Sequence, residues 1–149
     1  MQVPATERCA FCDYLSGARD CAFVTRRDTL SSFANLRQYE RGSLLVVPNV
    51  HRGTVLDLGA DLIAAIHNEA ALLARALVTA FGATGVNIFQ NNGVSAGQSE
   101  PHFHVHVVAR YAGNDPRRVF NSRDVAPAPF SEQLEVAAAV RRALDGLHS

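Results

Sequence analysis

The sequence PHFHVHVVAR, residues 101–110, places three histidines at alternate positions in an otherwise apolar run. In a β-strand successive side chains point to opposite faces, so His102, His104 and His106 would share one face. The apolar residues between them would point into the core. This strand is therefore the expected centre of the fold, and its histidine face is the expected working surface.

The three imidazoles cannot all bind one ion if this strand is straight. At roughly 3.3 Å per residue the Cα atoms of His102 and His106 lie about 13 Å apart. Zinc needs its ligand nitrogens at ~2.0–2.1 Å, so at most two neighbouring histidines could share an ion. A functional interpretation needs a different role for each histidine. The alternative is a histidine-rich strand that faces solvent.

The composition predicts one compact domain over residues 1–149, because 48% of the residues are hydrophobic. Lys and Arg total 14, as do Asp and Glu, and the basic residues are scattered, so nothing indicates a nucleic-acid interface. Polar residues interrupt the longest apolar stretch, and the N-terminus lacks a signal profile. We therefore expect no membrane span and no secretory signal. The odd number of cysteines, three, favours a reducing compartment, and a cytoplasmic location is expected.

Hydrophobic patterning predicts an α+β fold: an antiparallel sheet of about five strands, one long helix and a C-terminal helix. The expected strands are residues 21–27, 30–36, 43–47, 86–91 and 102–110. Apolar spacing from residue 60 to residue 81, with Gly82 after it, predicts the long helix. Ser131 is expected to cap the last helix, residues 131–147. The apolar side of that helix would consist of Leu134, Ala137, Val140, Leu144 and Leu147.

Cys9 and Cys12 have the two-residue gap that lets both thiolates bind one tetrahedral zinc. The pair alone is ambiguous between half of a metal site and a redox pair. Two more ligands must come from elsewhere in the chain. His51, which follows the strand ended by Pro48, is the expected third ligand, and His102 is the expected fourth.

The sequence resembles the histidine triad (HIT) family of nucleotide hydrolases and transferases, in particular its zinc-containing bacterial branch. Residues 102–108, HFHVHVV, fit the family signature of three histidines that alternate with apolar residues. Four other segments are similar to family motifs: the cysteine pair 9–12, the ribose-side strand 33–35, the segment 42–48 with His51, and the phosphate loop 91–99. The resemblance covers residues 9–111, with residues 131–147 as a helical extension.

The resemblance implies that His104 attacks the α-phosphorus of a nucleotide and forms a covalent nucleotidyl-histidine intermediate. His106 would protonate the leaving group, and its ordinary pKa of about 6.5 suits proton transfer near neutrality. The zinc would be structural and would orient the catalytic strand. Its ligands would be Cys9, Cys12, His51 and His102.

The resemblance also implies a phosphate site without lysine, built from backbone N–H groups of the glycine-containing loop and from amide and hydroxyl donors. Asn35 would lie near the ribose hydroxyls. The loop residues expected to bind substrate are Asn91, Gly97, Gln98 and Ser99.

Three features depart from the family pattern. Ser43 stands where many members have a histidine behind the active site, so a hydrogen-bond relay there must be shorter or pass through water. Glu100 stands where an apolar or small residue is usual and would place a negative charge near an anionic ligand, narrowing the substrate range. Residues 114–129 lack tryptophan and match only loosely, which leaves substrate specificity open.

The implied function is hydrolysis at the α-phosphate of a purine nucleotide by a homodimer. Candidate substrates are a nucleoside phosphoramidate, an aminoacyl adenylate and a dinucleoside polyphosphate. Three alternatives stay open: a nucleotidyltransferase with an acceptor other than water, a nucleotide-binding regulator with little turnover, and a hydrolase whose catalytic zinc is held by pairs of triad histidines. The sequence does not specify the base or the leaving group.

Overall fold

Five strands form one antiparallel sheet in the computed structural model, which describes residues 1–120 and 124–148. The strands are β1 (Phe23–Arg26), β2 (Leu30–Ala34), β3 (Ser43–Pro48), β4 (Gly85–Phe89) and β5 (Val105–Arg110). They lie in the order β1-β2-β3-β5-β4. The α+β class and the five-stranded antiparallel sheet are confirmed. Residues 121–123 of the polar stretch 114–129, and residue 149, lie outside the described part of the chain.

Three α-helices accompany the sheet: α1 (Ala10–Ser16), α2 (Ala60–Phe81) and α3 (Phe130–Leu147). The predicted bounds of α2 are confirmed, and Gly82 ends it in the left-handed conformation at φ 65°. By length and apolar composition α2 would suffice to cross a membrane. Its inner face, however, is packed into the main core, as expected for the central helix of this fold.

The main core lies between one face of the sheet and helices α2 and α3. Phe103, Val105 and Val107 point into it and are almost completely buried, as the alternation predicts. They pack in the same cluster as Ile66 and Leu73 of α2. Each such side chain contributes roughly 1.5–3 kcal/mol on burial, so this cluster fixes the position of β5.

A smaller apolar cluster covers the opposite face of the sheet, which carries the histidines. Phe33 of β2, with Leu45 and Val47 of β3, packs here against Phe11 of α1. The seven-residue helix α1 was not predicted. Because α1 lies on this face, the histidine side chains point into a space between the helix and the sheet. They do not face open solvent.

The predicted C-terminal helix exists, and three of its five predicted apolar positions, Ala137, Val140 and Leu144, are buried, but its start differs from the prediction. It begins at Phe130, Ser131 lies inside it, and no side chain caps it. Leu134 and Leu147 are 44% and 43% exposed. The buried positions are Gln133, Val136, Ala137, Val140, Ala143 and Leu144. Small alanines on this side let α3 lie close to α2, and the buried Gln133 amide donates to the Ala128 carbonyl, 2.9 Å away.

Candidate functional site

The three histidines of the 102–106 segment divide between two sites at the start of β5. The strand begins only at Val105, so His102 and His104 belong to the extended segment that leads into it. His102 is fully buried and faces the two N-terminal cysteines. The rings of His104 and His106 lie 4.9 Å apart and line a cavity, here called the histidine cavity.

The four predicted metal ligands form one group, here called the cysteine–histidine cluster. The ligand atoms of Cys9, Cys12, His51 and His102 all lie within 4.8 Å of one another. Cys9 Sγ lies 3.4 Å from His102 Nδ1, and Cys12 Sγ lies 3.4 Å from His51 Nδ1. Tetrahedral zinc with bonds of ~2.0–2.3 Å separates its ligand atoms by about 3.5 Å, so the donor set and its spacing fit a metal ion.

The protonation of the cluster also suits a metal. The Nε2–H of His102 donates to the Pro48 carbonyl, 2.9 Å away, which leaves the Nδ1 lone pair directed at the sulfurs. Burial lowers the pKa of His102 to about 4, so the ring is neutral at pH 7. Burial and the neighbouring Cys9 raise the pKa of Cys12 to about 11, and a bound cation would displace that proton.

Helix α1 positions both cysteines and separates the two sites. Cys9 is its N-cap, and the Cys12 backbone N–H donates to Cys9 Sγ at 3.4 Å. One turn of helix therefore brings the two thiols together. Phe11, which lies between them in sequence, packs edge-on against both His102 and His104, with ring centroids 5.8 and 5.2 Å apart. The cluster and the cavity thus share one aromatic wall.

The histidine cavity has a volume of about 400 Å³. Its walls come from α1, from β2 and the segment after it, and from the end of the loop before β5. The residues that contribute charge, hydrogen bonds or rings to it include Tyr14, Arg19, Asn35, Ser99, Glu100 and His104. A cavity of this size could hold a nucleoside monophosphate.

His104 has one ring nitrogen fixed and one free. Its Nδ1–H donates to the His102 carbonyl at 2.8 Å, so the Nε2 atom carries the lone pair. Burial lowers its pKa, although the bond to His102 raises it, and the ring is neutral at pH 7. A neutral imidazole with a fixed tautomer can act as a nucleophile.

The pKa of His106 departs further from its ordinary value than the sequence indicated. Its ring stacks on Phe89 with centroids 4.3 Å apart, and its Nδ1 is buried without a partner in the part of the chain that the structure describes. Burial, followed by the proximity of His104, lowers its pKa to about 3. The free protein therefore holds His106 neutral. An anionic ligand beside it would raise its pKa and favour its protonation.

Of the predicted loop residues, Ser99 lines the cavity. The structure places the Gln98 side chain inside the loop. Its Oε1 accepts from the Gly93 N–H at 2.7 Å, and its Nε2 donates to the carbonyls of Gly53 and Glu100, both at 2.8 Å. Asn91 lies near Gly97 within the same loop, away from the residues that line the cavity. Gln98 thus shapes the loop that presents Ser99.

The loop backbone is largely hydrogen-bonded within the protein. The N–H groups of Val94 and Gly97, for example, donate to the carbonyls of Gln2 and Val94 at 2.8 and 3.0 Å. Gly97 adopts φ 82° where the helical turn Val94–Ala96 ends, a conformation that favours glycine. Few backbone N–H groups of the loop therefore remain to bind an anion. The expected phosphate contacts are those near Ser99.

Asn35 and Ser43 are two further polar residues that the sequence analysis placed near the active site. Asn35 lines the cavity, and its Oδ1 accepts from the Arg37 N–H at 3.2 Å. The Ser43 hydroxyl donates to the Glu40 carbonyl at 3.0 Å. Ser43 is thus engaged in the turn before β3, which argues against a relay from Ser43 to the catalytic strand.

Sequence reasoning missed Tyr14 and Arg19, whereas it expected Glu100 near the ligand. All three line the cavity. Burial raises the pKa of Glu100, and the nearby Arg19 lowers it. The apolar spacing of Phe11, Tyr14 and Leu15 is the signal that could have indicated α1 and its inward face.

Comparison with known proteins connects these features to a family. The model of the HIT domain family matches residues 16–113. Protein hit of Bacillus subtilis is 32% identical over 109 residues, which are 73% of this chain and 75% of that protein. Adenylylsulfatase HINT3 of Arabidopsis thaliana is 28% identical over 102 residues, which are 68% of this chain but 52% of that protein.

A solved structure with a similar fold contains zinc. The crystal structure of a Zn-bound histidine triad family protein from Mycobacterium smegmatis superimposes with a TM-score of 0.80 at 26% identity. The match covers 94% of this chain and 95% of that one.

Proposed function

Because the chain belongs to the HIT domain family, we propose that it hydrolyses nucleotides at the α-phosphate through a covalent intermediate on His104. The observation that carries the proposal is the fixed tautomer of His104 inside the cavity. With Nδ1–H bonded to a carbonyl, the Nε2 lone pair is available to attack phosphorus. The family relative named an adenylylsulfatase supports a nucleotide as the substrate.

The other cavity residues have roles that follow from their chemistry. The Nε2 of His104 forms a bond to the α-phosphorus while the bond to the leaving atom breaks. His106, protonated once the anion is bound, donates a proton to the leaving group. Ser99 donates to a non-bridging oxygen and Asn35 contacts the ribose. Water then attacks the nucleotidyl-histidine, its proton passes to His106, and His104 is regenerated.

The cysteine–histidine cluster is proposed as a structural zinc site. Two thiolates and two imidazoles supply four ligands, which fill a tetrahedral coordination shell and leave no open position for substrate. His104 and His106 are outside the cluster, which argues against a catalytic zinc held by pairs of triad histidines. The bound ion would tie α1 to the segment that precedes His104.

A homodimer through β4 is also part of the proposal. Strands β1 and β4 are the two edges of the sheet. Arg141 donates to the Phe23 carbonyl of β1 at 2.5 Å and so covers part of that edge. In β4, Ile88 is 45% exposed. An edge strand with an exposed apolar residue is a surface on which a second copy can pack. The cytoplasmic location stays a prediction from cysteine usage.

The test is hydrolysis of adenosine and guanosine 5′-phosphoramidates by the zinc-loaded protein. We expect release of the nucleoside monophosphate and, after rapid denaturation, a nucleotidyl group bound to the protein. His104→Asn should abolish both, whereas His67→Asn, a change on the exposed side of α2, should abolish neither.

Three results would contradict parts of this proposal. Binding of nucleotide without release would favour a regulator. Release by His104→Asn at the wild-type rate would exclude the covalent route. Product transferred to an added alcohol in preference to water would favour a transferase.

A further inference from the structure

The end of the histidine cavity beside α1 carries two opposite charges that the proposed chemistry does not use. Arg19 follows α1, Glu100 precedes the catalytic segment, and both line the cavity. Among residues 1–120 and 124–148 the Glu100 carboxylate has neither a hydrogen-bond nor a salt-bridge partner. It interacts with Arg19 and with Tyr14 only through longer-range electrostatics. A free carboxylate in a cavity proposed to bind an anion needs a cationic or hydrogen-bond-donating partner on the ligand.

A series of rings leads from the catalytic histidines to these charges. The centroid distances are 4.9 Å from His106 to His104, 5.2 Å from His104 to Phe11 and 6.1 Å from Phe11 to Tyr14. The Arg19 guanidinium then lies 6.0 Å from the Tyr14 ring centroid. Aromatic walls of this kind stack on a nucleobase of any identity. Arg19 and Glu100 therefore lie where the edge of a base stacked on these rings would be.

The Arg19 side chain and the Glu100 backbone are held in place. The Arg19 guanidinium bonds Asp13 Oδ2 at 3.2 Å, and the Arg19 backbone N–H donates to the Asp13 carbonyl at 3.2 Å. The buried Gln98 amide donates to the Glu100 carbonyl at 2.8 Å, and Pro101 restricts the backbone conformation of Glu100, the residue before it. Fixed donors and acceptors can discriminate between ligands because they do not turn to suit each one.

We propose that Glu100 and Arg19 bind the edge of the nucleobase and select guanine. A carboxylate accepts two hydrogen bonds from the N1–H and the 2-amino group of guanine, and a guanidinium donates to its O6 or N7. Adenine has a lone pair at N1, which repels a carboxylate. The inference rests on the proposed function, which places the phosphate at His104 and hence the base along the ring series.

The same pair is badly placed for the leaving group. In the proposed mechanism the leaving group lies beside His106, the proton donor. His106 is at one end of the ring series, next to Phe89 and with Tyr39 at 6.3 Å. Arg19 is at the other end, beyond Phe11 and Tyr14, and Glu100 lines the same cavity close enough to Arg19 and Tyr14 to interact with them electrostatically. The geometry thus assigns the pair to the base.

The kinetic test compares guanosine, inosine and adenosine 5′-phosphoramidates, because inosine differs from guanosine only by the missing 2-amino group. We expect kcat/KM for guanosine to exceed that for inosine and adenosine by about tenfold or more, the discrimination typical of a bidentate contact. Glu100→Gln can accept from the 6-amino group and donate to N1 of adenine, so it should lower the guanosine-to-adenosine ratio by about tenfold or more. Glu135→Gln, on the exposed side of α3, is the control and should leave the ratio unchanged.

Calorimetric binding of GMP, IMP and AMP tests the inference without turnover. We expect GMP to bind most tightly to the wild type and this preference to be lost in Glu100→Gln. Selective binding without hydrolysis would contradict the proposed hydrolase activity but support base selection. Equal affinities, an unchanged preference in Glu100→Gln, no binding of any nucleotide, or hydrolysis without base discrimination would overturn base selection.

Discussion

His104 and His106 differ in their surroundings although they lie two residues apart. His104 is fixed by a carbonyl acceptor, whereas the buried Nδ1 of His106 has no partner within the described residues. An unpartnered buried nitrogen is unfavourable in the free protein. A phosphate in the cavity would favour the protonated ring by its negative charge. One of the buried polar atoms that lack a partner within the described residues thus belongs to a residue whose proposed role needs a bound anion.

This arrangement predicts that His106 destabilises the fold in acid. In the unfolded chain it titrates near its ordinary pKa of about 6.5, and in the folded protein its pKa is about 3. Between those values the unfolded state binds a proton that the folded state does not. The free energy of unfolding should therefore fall as pH falls through this window, by about 1.4 kcal/mol per pH unit from this residue.

Urea unfolding of the ligand-free protein at pH 6.5 and pH 5.0 checks this expectation. The wild type should lose about 2 kcal/mol more than His106→Gln over this interval. His67→Gln, in which an exposed histidine is replaced, should lose as much as the wild type. Parallel pH dependence of wild type and His106→Gln would show that burial does not shift the His106 pKa in this way.

At the scale of elements, helix α1 is the one that the sequence indicated most weakly. Seven residues are too few to form a stable helix alone, and no long periodic pattern marks them. Its stability must come from the Cys9 cap, from Phe11 packed under it and, in the proposed zinc-bound form, from the metal. By contrast, the long periodic pattern of α2 and the buried runs of β3 and β5 were recognisable because their burial repeats along the chain.

The sequence predicted part of the candidate site, just as it predicted part of the fold. The cysteine and histidine ligands follow from residue type and spacing, and the structure brings all four together. The Gln98 amide could not be placed, because one of its partners, the Gly53 carbonyl, lies 45 residues away in sequence. Tyr14 and Arg19 reach the cavity only because α1 folds onto the sheet. Local sequence patterns could not predict these contacts between distant segments of the chain.

Phe11 should therefore be the residue on which α1 depends most. Its ring packs against Phe33 and both neighbouring histidines. Phe11→Ala should lower the free energy of unfolding by about 3–5 kcal/mol, the usual effect of emptying a buried aromatic site. Urea unfolding measures it, with Phe130→Ala at a 39% exposed position as the control. A loss of less than 1 kcal/mol in Phe11→Ala would mean that α1 is held mainly by the metal.

At the scale of the molecule, the cysteine–histidine cluster joins parts of the chain that are far apart. Cys12 and His102 are separated by 90 residues. A bound ion would close this long loop and stabilise the folded state, because the unfolded chain lacks a preformed site. The N-terminal segment, the end of β3 and the start of β5 would then move as one unit.

Removal of the metal should accordingly lower the thermal midpoint by several degrees, at ~2–4 °C for each kcal/mol in a chain of this size. A thermal scan before and after chelation, and after zinc is returned, measures the change. Cys12→Ser should behave like the chelated wild type, and Cys21→Ser, outside the cluster, should respond to zinc like the wild type. A midpoint that chelation leaves unchanged would exclude a structural role for the ion.

The exposed edge of the sheet determines the expected assembly. Strand β4 has a neighbouring strand on one side only within the described residues, and it carries the exposed Ile88 side chain, so pairing with a second copy would extend the sheet and cover that side chain. Light scattering should give about twice the 16.1 kDa chain mass. Ile88→Glu should shift the protein towards monomer because it places a charge in the interface, whereas Leu56→Glu, at a position 72% exposed elsewhere, should not. A monomeric wild type, or an Ile88→Glu variant that stays dimeric, would show that β4 is not the interface.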